Sequence, residues 1–206
     1  MTDTVHLAIY DTLADWEIGF ATAHINSGAW QRQPDHFEVV TVGETRDPVT
    51  TMGGLRLTPD MAVADLDPAG SAMLILPGAD TWLAGGNEVF VDAARAFLDA
   101  GVPVAAICGA TGGLAAAGLL DDRPHTSNAR EFLEATGYRG SAHYREAGAV
   151  TDGDLITASA TAPVDFARAI FARLGLYEPE TLDAWYKLYG QGDPAGYFEL
   201  VASTTA

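Results

Sequence analysis

The 206-residue chain contains a single cysteine, Cys108. A lone thiol closes no internal disulfide and supplies too few sulfurs for a structural zinc or iron–sulfur site. A reducing, cytoplasmic setting is therefore expected. Basic residues are also scarce: 11 Lys and Arg stand against 28 Asp and Glu, a formal charge of −17. Such a surface repels phosphate backbones and anionic lipid, so no nucleic acid and no membrane is expected among its partners. No apolar run approaches the roughly 20 residues of a membrane span. The opening Met1-Thr-Asp-Thr-Val-His-Leu7 lacks the basic stretch of a signal peptide. Glycine-rich phosphate loops of the Walker or dinucleotide kind are missing too. The five histidines, His6, His24, His36, His125 and His143, show no metal-ligand spacing. Neither a metal nor a cofactor is expected. His143 is followed by Tyr144 and Arg145, so the His-x-Glu pair of a glutamine amidotransferase is absent.

What is present centres on Val102 to Gly118. A short apolar run, Val102 to Ile107, ends at Cys108, small residues follow, and a Leu/Ala segment then reads as a helix. This is the layout of a nucleophile elbow, a sharp strand-to-helix turn at the carboxyl end of a parallel sheet. Small residues permit the turn and the approach of a substrate. The following helix aims N–H groups and its positive end at the sulfur, which favours thiolate. The Gly109 N–H is then an oxyanion donor. The plainer reading of Cys108 is a buried structural thiol.

Strands are expected at Val5–Tyr10, Phe37–Gly43, within Gly53–Thr58, at Ala72–Leu76, His143–Tyr144, Ala149–Thr151 and Leu155–Ser159. Helices are expected at Leu13–Ile25, at Glu88–Ala100 with Asn87 as cap, at Ala129–Thr136, at Val164–Leu174 behind Pro163, and at Glu180–Tyr189. In the first helix Leu13, Trp16, Phe20 and Ala23 share one face at 100° per residue, and Glu17 and His24 fall inside that arc. A carboxylate on a buried face is costly unless paired or protonated, which singles out Glu17. Successive strand–helix units place the Leu76-Pro-Gly78 strand end beside Cys108. The Gly78 N–H is then a second oxyanion donor, and the loop through Trp82 a pocket wall together with Asn128. His125 lies in a polar loop that can return to the strand tips. The alternation gives a doubly wound α/β sandwich of one domain, 1–206, with its core at about 5–175 and a C-terminal helical extension at 176–206. The face Leu182, Trp185, Leu188 and Tyr189 is available to the core or to a second subunit.

These residues carry a family resemblance. Asp15-Trp-Glu17, Gly53-Gly54 with Pro59-Asp60, Leu76-Pro-Gly78, Ala105-Ala-Ile-Cys108-Gly, the His125-Thr126 loop and Asp152-Gly-Asp-Leu-Ile-Thr157 resemble the ThiJ/PfpI superfamily, whose members include deglycases and isonitrile hydratases. The resemblance implies a flavodoxin-like fold, a homodimer, a nucleophilic Cys108, a protonated Glu17 beside the sulfur, and His125 in the role of the histidine some members use nearby. Peptidase-like members carry a histidine directly after the cysteine, whereas this chain has Gly109. Isonitrile hydratases tend to carry Asp in place of Glu17. The activity expected is therefore glyoxalase- or deglycase-like, on a small reactive carbonyl. A cysteine redox sensor and an amide or isonitrile hydrolase or hydratase are the alternatives.

Overall fold

The structure, a computed structural model, describes residues 2–203. Met1 and residues 204–206, the ends of the expected 1–206 domain, lie outside the described residues. Nine strands and eight α-helices occur among the described residues: β1 (Asp3–Ala8), α1 (Asp15–Asn26), β2 (Phe37–Gly43), β3 (Val49–Thr50), β4 (Arg56–Leu57), β5 (Met61–Ala62), β6 (Met73–Leu76), α2 (Asp80–Leu83), α3 (Glu88–Asp99), β7 (Val104–Ile107), α4 (Gly109–Ala116), α5 (Arg130–Glu134), β8 (Ala149–Asp152), β9 (Leu155–Ala158), α6 (Pro163–Leu174), α7 (Pro179–Tyr189) and α8 (Ala195–Ser203).

Seven strands form one sheet in the order β5-β2-β1-β6-β7-β9-β8, parallel except for the β8–β9 hairpin. Every residue of β6 and β7 is buried, because α1 and α6 cover one face of the sheet while α3 and α4 cover the other. That is why these strands read as unbroken apolar runs rather than alternating ones. The chain leaves β1 towards β2 and later returns to β6 on the opposite side of β1. The order thus reverses between β1 and β6, and at such a switch point a crevice opens beyond the carboxyl ends of the strands. The separate β3–β4 hairpin folds over the start of α1 through Thr12 N–H on Thr50 O, Met52 N–H on Leu13 O, and Gly53 N–H on Asp15 Oδ2.

Several local expectations are corrected. The buried line of α1 is Glu17, Ala21 and Ile25, whereas Trp16 is half exposed. The helix is rotated from its purely apolar arc because Glu17 is drawn inward by a backbone hydrogen bond and Trp16 donates outward to Ala160 O. Asn87 does not cap α3 with its side chain; it sits at a positive φ of 66° and donates to Thr81 Oγ1. In α3 the buried residues are Phe90, Ala94 and Phe97, and Val89 is exposed. His143–Tyr144 is no strand. Residues 141–143 form a 3-10 turn, and Tyr144 makes an isolated bridge to His125. In the C-terminal extension α7 packs on α6 through a fully buried Trp185, and α8 packs in turn on α7.

Candidate active site at the Cys108 elbow

Cys108 follows β7 at φ 59°, ψ −123°, a region that costs a side-chain-bearing residue of order 1–3 kcal/mol. The surroundings hold it there. Cys108 N–H donates to Ala158 O of β9 at 3.0 Å, while the Cys108 carbonyl accepts from Thr111 N–H at 3.1 Å and from Thr111 Oγ1 at 2.5 Å. Since the Thr111 hydroxyl spends its hydrogen on that carbonyl, the 2.6 Å contact with Ser127 must run from the Ser127 hydroxyl to Thr111 Oγ1. The turn sets the sulfur within reach of the Gly109 N–H at the start of α4.

Glu17 meets it from α1. The residue is fully buried, and its Oε2 accepts the Gly78 N–H at 2.6 Å. Oε1 is buried with no hydrogen bond of good geometry; the Cys108 thiol interacts with this carboxyl without completing one. Burial raises the Glu17 carboxyl above its ordinary range, against the pull of Gly78 N–H. Only glycine fits at 78: a Cβ there would lie 2.7 Å from Cys108 Cβ, 2.8 Å from its Sγ and 2.9 Å from Glu17 Oε2. The Gly78 N–H is consequently committed to Glu17, which corrects its expected role as a free oxyanion donor.

The sulfur also receives the Asn128 side chain. Ala160 N–H donates to Asn128 Oδ1 at 2.9 Å, which fixes the amide orientation, and Nδ2 donates to Sγ at 3.3 Å. The Gly109 N–H acts in the same direction, as the expected helix-start donor. Burial nevertheless pushes the thiol up to about 11, reinforced by the Glu17 charge, and the two donors only moderate this. The expectation of a simply depressed thiol is corrected. Two acidic groups packed together titrate as a pair, and the value near 11 belongs to removal of the second proton. Between the raised Glu17 titration and that value the pair holds one proton.

A cavity of about 90 Å³ opens at the sulfur, with Glu17, Asp80, Cys108 and Asn128 as its polar lining and Trp16, Met52, Leu83 and Phe132 as its larger apolar lining. Trp82 is not part of it. Its indole is buried beneath the elbow, donating at 3.0 Å both to Tyr10 Oη and to Pro77 O, and Tyr10 also donates to Pro77 O. Two donors thus pull on the carbonyl of the same peptide whose N–H serves Glu17. His125 is also placed elsewhere and is not among the cavity-lining residues. It is fully buried, with Nδ1 donating to Arg123 O at 2.8 Å and Nε2 accepting from Tyr138 Oη at 3.2 Å. The structure therefore brings Cys108, Glu17, Gly78, Gly109 and Asn128 together, sets Trp82 on the neighbouring groove rather than the cavity, and leaves His125 out. Sequence reasoning missed Trp16, Met52 and Leu83 as cavity lining and Tyr10 as a support; Tyr10 looked like the end of a strand.

Comparison with known proteins bears on the family and the fold. The family model described as DJ-1/PfpI family matches residues 3–173. A Bacillus subtilis (strain 168) protein named uncharacterized protease YoaZ is 37% identical over 203 residues, covering 97% of both chains; a second, named uncharacterized protease YdeA, is 31% identical over 85% of each. Among solved structures, a ThiJ/PfpI family protein from Bacillus anthracis superposes with a TM-score of 0.92 at 36% identity, covering 98% of this chain and 97% of that one. A DJ-1 superfamily protein from Agrobacterium tumefaciens gives 0.82 at 35%, covering 93% and 100%. By sequence and by fold, the chain belongs to the DJ-1/PfpI family.

Proposed function

We propose that the protein is a cofactor-independent enzyme of glyoxalase or deglycase type, using the Cys108 sulfur as nucleophile toward small reactive carbonyls. The observation that carries this reading is the Glu17–Cys108 pair: a buried acid with an unpartnered oxygen, packed against the only thiol, beside a small cavity. Glu17 takes the thiol proton, and the thiolate adds to the aldehyde carbon of a 2-oxo aldehyde. The oxygen that gains the charge is met by Gly109 N–H and Asn128 Nδ2 and collects the proton from Glu17, giving a hemithioacetal. Glu17, again a carboxylate, removes the hydrogen from that carbon and returns it to the neighbouring one, while the hydroxyl proton passes to the neighbouring oxygen, which leaves a 2-hydroxy thioester. Water hydrolyses the thioester, releasing the hydroxy acid and restoring the thiol. The net change is addition of one water to the substrate, with no oxidant or reductant.

The protease wording in the relatives' names would need a histidine base. Here Gly109 follows Cys108, and His125 has both nitrogens engaged. A cytoplasmic homodimer is part of the reading, supported by the exposed apolar cluster of Trp16, Met52 and Leu55; size-exclusion chromatography tests it.

The deciding experiment follows lactate formation from methylglyoxal. Turnover by the purified protein, reduced about 10³-fold or more in Cys108→Ser and Glu17→Gln, is the expected result. No turnover by the intact protein, or full turnover in Glu17→Gln, overturns the reading. If mild peroxide instead adds two oxygens to Cys108 in a protein that turns over no carbonyl, the site is a redox sensor.

A further inference from the structure

We infer that the groove beside the Cys108 cavity holds an uncharged apolar substituent of the substrate, so that this chain favours carbonyls bearing an aliphatic or aromatic group larger than methyl. The inference rests on the reading of Cys108 as a carbonyl nucleophile. Its starting point is a mismatch of size. The cavity at the sulfur, about 90 Å³, is smaller than the roughly 150 Å³ that encloses a benzene molecule. It has space for the reacting carbonyl and little else. Next to it runs a groove of about 670 Å³, within the roughly 300–1,000 Å³ of small-molecule sites. Leu83, Gly109 and Phe132 line both spaces, so the groove adjoins the cavity.

Its construction favours a chain or ring without charge. The floor is one face of α4, Gly109, Gly112, Gly113 and Ala116, with no side chain beyond a methyl. A Cβ at Gly113 would lie 2.4 Å from the Trp82 ring, and one at Gly112 would lie 3.0 Å from Phe132 Cζ. The two aromatic rings therefore rest directly on the helix backbone and form apolar flanks. From Gly109 to Ala116 the floor runs roughly 10 Å at 1.5 Å per residue. Glu88 and Asp92 stand on the α3 side, and Arg95 there is bonded through Nη2 to Ala117 O. Two acids against one engaged arginine disfavour an anionic tail. Each methylene buried along this floor is worth a factor of about three to four in binding.

The test is a homologous series of 2-oxo aldehydes, methylglyoxal, 2-oxohexanal and 2-oxooctanal, assayed with the purified protein. Expected is a kcat/KM at least tenfold higher for 2-oxooctanal than for methylglyoxal, with Ala116→Trp, a substitution at an exposed position on the groove floor, collapsing that ratio toward one. Turnover of methylglyoxal with no gain along the series overturns the inference and leaves the carbonyl reading standing. A second measurement needs no turnover: protection of Cys108 from iodoacetamide by 1-octanol compared with ethanol. Several-fold stronger protection by 1-octanol, lost in Ala116→Trp, supports the groove even if every carbonyl fails as substrate. Equal effects of the two alcohols overturn it.

Discussion

Helix α1 carries a buried glutamate and a half-buried histidine about two turns apart, and they meet opposite fates. His24 lies in an aromatic cage of Trp30, Phe171, Trp185 and Tyr189. Trp185 Nε1 donates to its Nε2 at 3.2 Å, which leaves Nδ1 to donate to Tyr177 Oη at 3.3 Å. Every polar atom of the ring is used, and burial lowers its affinity for a proton. Glu17 has one oxygen used and the other free, facing a thiol. Burial alone therefore does not mark a reactive group. An incomplete set of hydrogen bonds next to a nucleophile does. His125, closed at both nitrogens, falls on the His24 side of this contrast.

Substitutions can break the comparison, beginning with the largest effect. His24→Ala should cost about 3 kcal/mol, because it leaves a cavity, an orphaned Trp185 donor and an orphaned Tyr177 acceptor, while turnover of a carbonyl substrate stays within about twofold; chemical denaturation with parallel kinetics checks both. Glu17→Gln should do the reverse, with catalysis lost and about 1 kcal/mol gained at pH 7.5. The folded-state carboxyl is raised above 4.5, so the native protein binds its proton more tightly than the unfolded chain, and the residue costs stability as pH rises through that range. The gain should vanish near pH 4. The same variant should simplify alkylation of Cys108 by iodoacetamide. The intact protein is expected to show a neutral plateau and a second rise near 11. Glu17→Gln should show one rise at lower pH, since the opposing negative charge is gone.

A smaller effect concerns acid. His6, His24 and His125 all have proton affinities lowered by burial. The unfolded chain then binds protons first, so stability should be full above about pH 6.5 and decline below it. His24→Phe, which keeps the ring packing, should flatten part of that decline in thermal scans from pH 7.5 to 5. Smallest is Tyr10→Phe, which removes one of the two donors on Pro77 O. A several-fold fall in kcat with a shifted pH profile would show that the Pro77–Gly78 peptide tunes Glu17. An unchanged profile would reduce Tyr10 to packing.

The elbow was legible in the sequence because strand, turn and helix there are contiguous and each is set by local residue choice. Leu76-Pro-Gly78 beside Cys108 was legible because parallel neighbours align their ends. Glu17 stood out through helical periodicity, although the arc that flagged it was misplaced by Trp16. What could not be read depends on partners far along the chain. Gly78 N–H is claimed across 61 residues by Glu17. Trp82 is turned under the elbow by Tyr10. His125 is locked by Tyr138 and bridged to Tyr144. A loop's composition records none of these.

The backbone at Cys108, φ 59° and ψ −123°, is one that glycine adopts freely and other residues do not. The chain thus places its one thiol where folding alone would choose the smallest residue. Cys108→Gly should give a protein that is inert and about 1 kcal/mol more stable. Stability-guided redesign of this scaffold would discard its nucleophile first.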